Sequence, residues 1–231
     1  MLLANGCSFT EGYYLDNLKD AWPFQLGIDA VNLAQGGASN QRIFRTTIDY
    51  LSTNRPDYVA IGWTETSRYE LPVVNGTWAR ILSHDVLFHE RLSTNPDAEQ
   101  LHNYYYRHLH NDFITTVDLL NYIITIQQLC KLQDIPYVFF YAFARPNFSE
   151  VLKDYHEYYR YEQHQLDEKL VVANKILQDK VAQIDQTRFM PATMKAWCEQ
   201  HNFDFELGGH PLSAGHRAWA TEIATKMFDI K

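Results

Sequence analysis

The sequence predicts an α/β fold: a three-layer α/β/α sandwich around a central parallel sheet. Three observations carry this expectation. Short apolar runs recur at residues 1–4, 58–63 and 135–143, residues 29–34 read as a further short strand, and a turn or loop follows each. Segments with apolar residues at helical spacing lie between them. The runs at 58–63 and 135–143 are apolar without alternation, as strands covered on both faces are. Strands joined by crossovers of this length run parallel.

The first run ends at Asn5-Gly6, where glycine lets the backbone turn. Ser8 follows at the strand's carboxyl end, the edge on which open α/β sheets place ligands. Residues 21–28 predict a short helix, with Pro23 near its first turn. Residues 29–34 predict the second strand. Residues 40–54 carry Ile43, Phe44, Thr47, Ile48 and Leu51 on one helical face, with Ser39 or Asn40 as the cap. A turn at 54–57 leads into the third strand.

Residues 64–110 break the rhythm. The stretch is long, weakly periodic and rich in Tyr, His, Asn and Pro. It reads either as a lid or as a surface excursion packed on the domain. An amphipathic helix at 111–133 and the fourth strand follow. Residues 147–185 read as mostly helical, with Tyr155, Tyr158, Tyr159 and Tyr161 as a packing stripe. A short helix is expected at 191–201, a last strand at 203–205, and a terminal helix at 213–228 with Ala218, Trp219, Ile223 and Met227 inward. No repeat or linker divides the chain, so one domain over 1–231 is expected, with an insertion at about 64–110.

Composition narrows the function. A chain of 231 residues, 46% of them hydrophobic, can bury a sizeable core. A net charge of -8 argues against holding nucleic acid by its phosphates, or a membrane by a basic face. Cys7, Cys130 and Cys198 are odd in number and lack a CxxC spacing, so a reducing compartment is expected. The opening run is too short for a signal peptide, and no run reaches a membrane span. The expectation is a soluble, cytoplasmic protein. Nothing in the sequence sets an oligomeric state.

Four stretches carry candidate chemistry: Gly6-Cys7-Ser8-Phe9-Thr10, residues 32–37, residues 61–64 and residues 208–216. In a parallel sheet the first three loops converge on one edge. A serine, a glycine-lined backbone, a polar side chain and a histidine make an acyl-transfer set. Cys7 beside Ser8 raises a thiol alternative, but neighbouring strand-end residues point opposite ways.

In their order and spacing these blocks resemble the SGNH hydrolase superfamily, the GDSL-like esterases and lipases, whose sandwich is flavodoxin-like. The resemblance runs through nearly the whole chain, with no counterpart between Glu65 and Leu132. It implies Ser8 as the nucleophile and His210 as the general base. It implies backbone N–H groups of Ser8 and Gly37 as oxyanion donors. Two positions depart from the pattern. Thr64 stands where the family's third block ends in asparagine; its hydroxyl can donate one bond with shorter reach, and Asn40 is a possible substitute. Leu207 stands where the family's DxxH block has its aspartate. Glu206, ranked above Asp204, is the expected carboxylate from a shifted backbone; a Ser–His dyad is the alternative.

Arg68 and Arg145 follow the third and fourth strands and form, with Arg42 and Arg45, a basic group. They can bind an anionic or sugar-like substrate, or pair with Glu65, Glu70 or other acids. With Asn40, Arg68 and Arg145 are the candidate substrate-binding residues. His216 is expected to be packed, and His108 and His110 to lie at the surface; no metal and no cofactor are expected. The implied activity is a serine-dependent ester hydrolase acting on a small or carbohydrate-borne ester. The alternatives are a binding module that keeps the fold without the chemistry, and an acyltransferase on the same scaffold.

Overall fold

Four parallel strands, ordered β2-β1-β3-β6, form the central sheet: β1 (Leu2–Asn5), β2 (Ala30–Asn32), β3 (Tyr58–Trp63) and β6 (Tyr137–Tyr141). The computed structural model describes residues 1–72, 78–81, 96–158 and 163–228. Register is set by Leu3 opposite Val31 and Val59, and by Ile61 opposite Phe139. The chain steps from β1 to β2 on one side, then crosses back to β3 on the other. A sheet wound this way opens a crevice at the carboxyl end of its switch strand, here β1.

Helices cover both faces. α2 (Asn40–Leu51) and α4 (Asp112–Leu132) pack on each other, and α4 also packs on α5 (Phe148–Tyr158) and α6 (Gln163–Val181). α8 (Ser213–Phe228) packs against β6, α7 (Met194–Gln200) and a 3₁₀ turn at Trp22–Phe24. The alternation of β6 divides these layers. Phe140 meets Trp22 and Trp219 edge-on at 5.6 and 5.3 Å, whereas Phe139 meets Trp63 and Phe189. Phe140, Trp22 and Trp219 are all fully buried, so truncating Phe140 to alanine would cost roughly 3–5 kcal/mol.

Capping sets the helix starts that the sequence anticipates. The Ser39 hydroxyl accepts from the Arg42 N–H at 3.1 Å, and the Asn111 side chain accepts from the Ile114 N–H at 2.9 Å. One polar side chain sits deep in the core for a reason. Asn5, fully buried, accepts from the Gly6 N–H at 2.9 Å and donates to the Ile43 carbonyl at 3.0 Å and to the Thr47 hydroxyl at 2.9 Å. It ties the end of β1 to α2 just before Ser8.

The stretch after β3 contains an antiparallel pair, β4 (Tyr69–Pro72) with β5 (Trp78–Ile81), then α3 (Pro96–Tyr104) and a π turn at Tyr105–Leu109. Two expected elements differ. The helix at 21–28 shrinks to Trp22–Phe24, because the chain turns at Gly27 with φ of +71°. Phe203-Asp204-Phe205 is not a strand of the sheet; among the described residues Phe205 pairs only with Pro211, in a hairpin that shapes the site. The side chains of Tyr155, Tyr158, Tyr159 and Tyr161 lie outside the described residues. Among the described residues no helix is long and apolar enough to cross a membrane.

Candidate active site

Ser8 opens α1 (Ser8–Glu11), a single turn directly after β1 and Gly6. Cys7 is fully buried in the core. Ser8 turns the other way, and its Oγ lies 2.7 Å from His210 Nε2, a contact between residues 202 apart in sequence. The other ring nitrogen, Nδ1, lies 2.9 Å from Glu206 Oε1. A carboxylate only accepts, so Nδ1 carries the proton and Nε2 is left to accept from the serine hydroxyl. The buried Phe9 ring backs the imidazole at 4.8 Å.

Glu206 reaches His210 through a hairpin. The Glu206 N–H donates to the His210 carbonyl at 3.0 Å, the Gly209 N–H donates to the Glu206 carbonyl at 2.9 Å, and the Leu212 N–H donates to the Asp204 carbonyl at 3.0 Å. Three residues, Leu207-Gly208-Gly209, make the loop, with Gly209 at φ +79°. This is a type I turn closed by a glycine bulge, and the left-handed position favours glycine. It places Glu206 directly across from His210. The family's DxxH position, Leu207, points fully into solvent, and Asp204 is exposed on the preceding arm.

The Glu206 carboxylate is held by donors. Burial alone would raise its pKa. The Gly208 N–H at 2.6 Å, the His210 imidazole and the His210 N–H at 3.1 Å outweigh burial and lower it below the usual carboxylate range. Glu206 is therefore ionised at neutral pH and faces the ring nitrogen that gains from a negative neighbour.

The second glycine loop folds against the same turn. The Gln35 N–H donates to the Gly6 carbonyl at 3.3 Å, and the Gly36 N–H donates to Glu11 Oε2 at 2.7 Å. Gly37 follows at φ +71°. Sequence reasoning passed over Glu11; its position three residues after the serine, on the same turn, was the available signal.

Thr64 and Asn40 interlock. Asn40 accepts from the Thr64 N–H at 2.9 Å and donates to the carbonyls of Thr64 at 2.9 Å and Glu65 at 3.2 Å. Both amide hydrogens of Asn40 are committed, so it holds the loop after β3 and has no donor to offer a substrate or an oxyanion. The Thr64 hydroxyl is buried and has no partner among the described residues.

The arginines separate. Arg42 and Arg45 face the buried Glu70, with Arg45 Nη2 3.0 Å from its carboxylate. Arg68 pairs with Glu65 at 2.7 Å and lies over the Phe143 ring at 5.0 Å, next to Phe9. Arg145 corrects the expectation of a shared substrate edge. Its guanidinium donates to the carbonyls of Met190 and Pro191 and borders a different cavity of about 420 Å3. Neither Ser8 nor His210 lines that cavity. The partners on 190–191 pull Arg145 away, and they are invisible from the local sequence. His216 is packed, accepting from the Trp22 N–H through Nδ1 at 3.2 Å. His110 pairs with Asp112 at 2.9 Å.

Solved structures of similar fold align with nearly the whole chain. TesA aligns over 100% of this chain and 99% of its own, at 12% identity and a TM-score of 0.53. A catalytic mutant of Axe2, an acetylxylan esterase from Geobacillus stearothermophilus, aligns over 98% of this chain and 93% of its own, at 12% identity and a TM-score of 0.50. At such identity the likeness shows the fold alone, and that fold is the SGNH-like α/β sandwich. The chain belongs to DUF6071, a family of unknown function whose profile matches residues 14–230. The match takes in Gly37, Glu206 and His210 and begins after Ser8. A search of curated proteins returned no match.

Proposed function

We propose that the protein is a serine esterase. One observation carries this reading: Ser8, His210 and Glu206 form an unbroken hydrogen-bonded chain at the carboxyl edge of the switch strand. As His210 Nε2 takes the hydroxyl proton, Ser8 Oγ bonds to the acyl carbon and the carbonyl oxygen gains the charge. The N–H groups of Ser8 and Gly37 receive that oxyanion. Its collapse breaks the bond to the alcohol, whose oxygen takes the proton from His210. Water, deprotonated by the same imidazole, then releases the acid and restores Ser8. Glu206 supports the imidazolium in both steps.

The Axe2 likeness and the glycine-lined loop are in keeping with a short acyl group on a small or sugar alcohol. The direct test is hydrolysis of p-nitrophenyl acetate by the purified chain and by Ser8→Ala. Turnover that vanishes in the folded variant supports the reading. Equal turnover by both ends it.

A further inference from the structure

Tyr14 holds its backbone at φ +70°, a conformation that bulky L residues rarely adopt. Core packing does not explain it, because Tyr14 is 54% exposed. Its ring stands edge-on to Tyr13 at 4.4 Å and lies 5.2 Å from the His210 ring. Tyr13 is itself partly exposed, lies 6.1 Å from His210, and borders Gly36, where an added Cβ would meet its ring at 3.5 Å. Two open aromatic rings therefore make a corner between His210 and the loop that carries Gly37. A strained, exposed side chain beside reactive groups points to a purpose outside folding.

The chemistry says what the corner faces. His210 must return its proton to the leaving oxygen, so the leaving alcohol lies on the His210 side, against these rings. Tyrosine offers an apolar face and a hydroxyl edge. A sugar ring offers the complement: a C–H face and hydroxyls around its rim. Burial first, and then the neighbouring Glu206 carboxylate, raise the Tyr14 phenol's pKa, and that carboxylate disfavours an anionic alcohol. We propose that Tyr13 and Tyr14 form the leaving-group subsite, a platform for a neutral sugar whose hydroxyl carries the acyl group. This inference rests on the esterase reading above.

The test uses Tyr14→Gly, which removes the ring and relieves the backbone, so misfolding does not explain its effect. In a Ser8→Ala background, an acetylated methyl xyloside is titrated by calorimetry, with and without Tyr14→Gly. In the Ser8-containing chain, the kcat/KM ratio of that ester to butyl acetate is compared. The expected results are binding weakened and the ratio lowered by roughly tenfold, in a variant that melts no lower than its parent. Unchanged binding overturns the subsite. An equal loss on butyl acetate also overturns it, since the platform then serves any apolar alcohol. Sugar binding that needs Tyr14, in a chain whose Ser8 resists a fluorophosphonate, keeps the platform and removes the esterase.

Discussion

Glu206 holds His210 twice, through the imidazole Nδ1 at 2.9 Å and through the backbone N–H at 3.1 Å, both on the same carboxylate oxygen. The acid thus sets the tautomer and the position of the histidine together. Glu206→Gln removes the charge that supports the imidazolium. On the proposed esterase reading the expected loss in kcat is about 10³–10⁴-fold, by analogy with the aspartate of known serine hydrolases. Steady-state kinetics on p-nitrophenyl acetate check this. A loss below tenfold favours the dyad.

The same carboxylate makes stability pH-dependent. Its folded pKa lies below the unfolded value, so its contribution is fully present above the ordinary value of 4.5 and fades as pH falls through the lowered one. Urea midpoints of the wild type and Glu206→Gln should differ at pH 6 and converge in acid.

His216 adds a second window. Burial, and then the neighbouring His210, hold its pKa at about 4 against an ordinary 6.5, with the Pro211 carbonyl opposing. A histidine kept neutral contributes stability that is complete above 6.5 and is lost as pH falls towards 4. The loss should reach roughly 3 kcal/mol by linkage. Unfolding free energies measured between pH 7 and pH 4 should fall more steeply in the wild type than in His216→Gln.

The hairpin glycines separate geometry from stability. A Cβ at Gly208 would come within 2.6 Å of Glu206 Oε1, the oxygen that holds His210. Gly208→Ala should therefore copy most of the activity loss of Glu206→Gln while the thermal midpoint stays nearly constant. Gly209→Ala places Cβ on a left-handed residue and should cost about 1–2 kcal/mol, read as a lower midpoint.

Thr64 and Asn40 answer to opposite measurements. Asn40→Ala leaves the buried Thr64 N–H unpaired and should cost roughly 1–3 kcal/mol. Thr64→Val removes a buried hydroxyl without a partner among the described residues. It should leave stability unchanged or raised, with kcat altered only a few-fold. A kcat loss of about 10²–10³ would instead assign that hydroxyl to the oxyanion.

Much of the fold was legible where one local signal dominated. The unbroken apolar run over 58–63 became β3 with the same bounds, and the helix expected at 213–228 became α8. The expected helix at 40–54 kept its start, because Ser39 caps it, and ended early at Leu51. What sequence missed were arrangements set at a distance. The run at 203–205 has strand-like residues, yet its partner is Pro211 across a tight hairpin. Glu206 could be chosen beside His210, but only the bulge at Gly209 explains why a spacing of four brings the two face to face. Asn40 sat in view as a polar candidate, while its commitment to the Thr64 backbone depends on how α2 meets β3. Arg145 and Arg68 looked equivalent by position; partners on 190–191 and on Glu65 set them apart.

The most direct measurement is labelling with a fluorophosphonate, read by intact mass, for the wild type, Ser8→Ala and Glu206→Gln. An activated Ser8 predicts one adduct on the wild type, none on Ser8→Ala, and slowed labelling of Glu206→Gln. A folded wild type that takes no adduct, or an adduct that persists in Ser8→Ala, would contradict the central claim that Ser8 is the nucleophile.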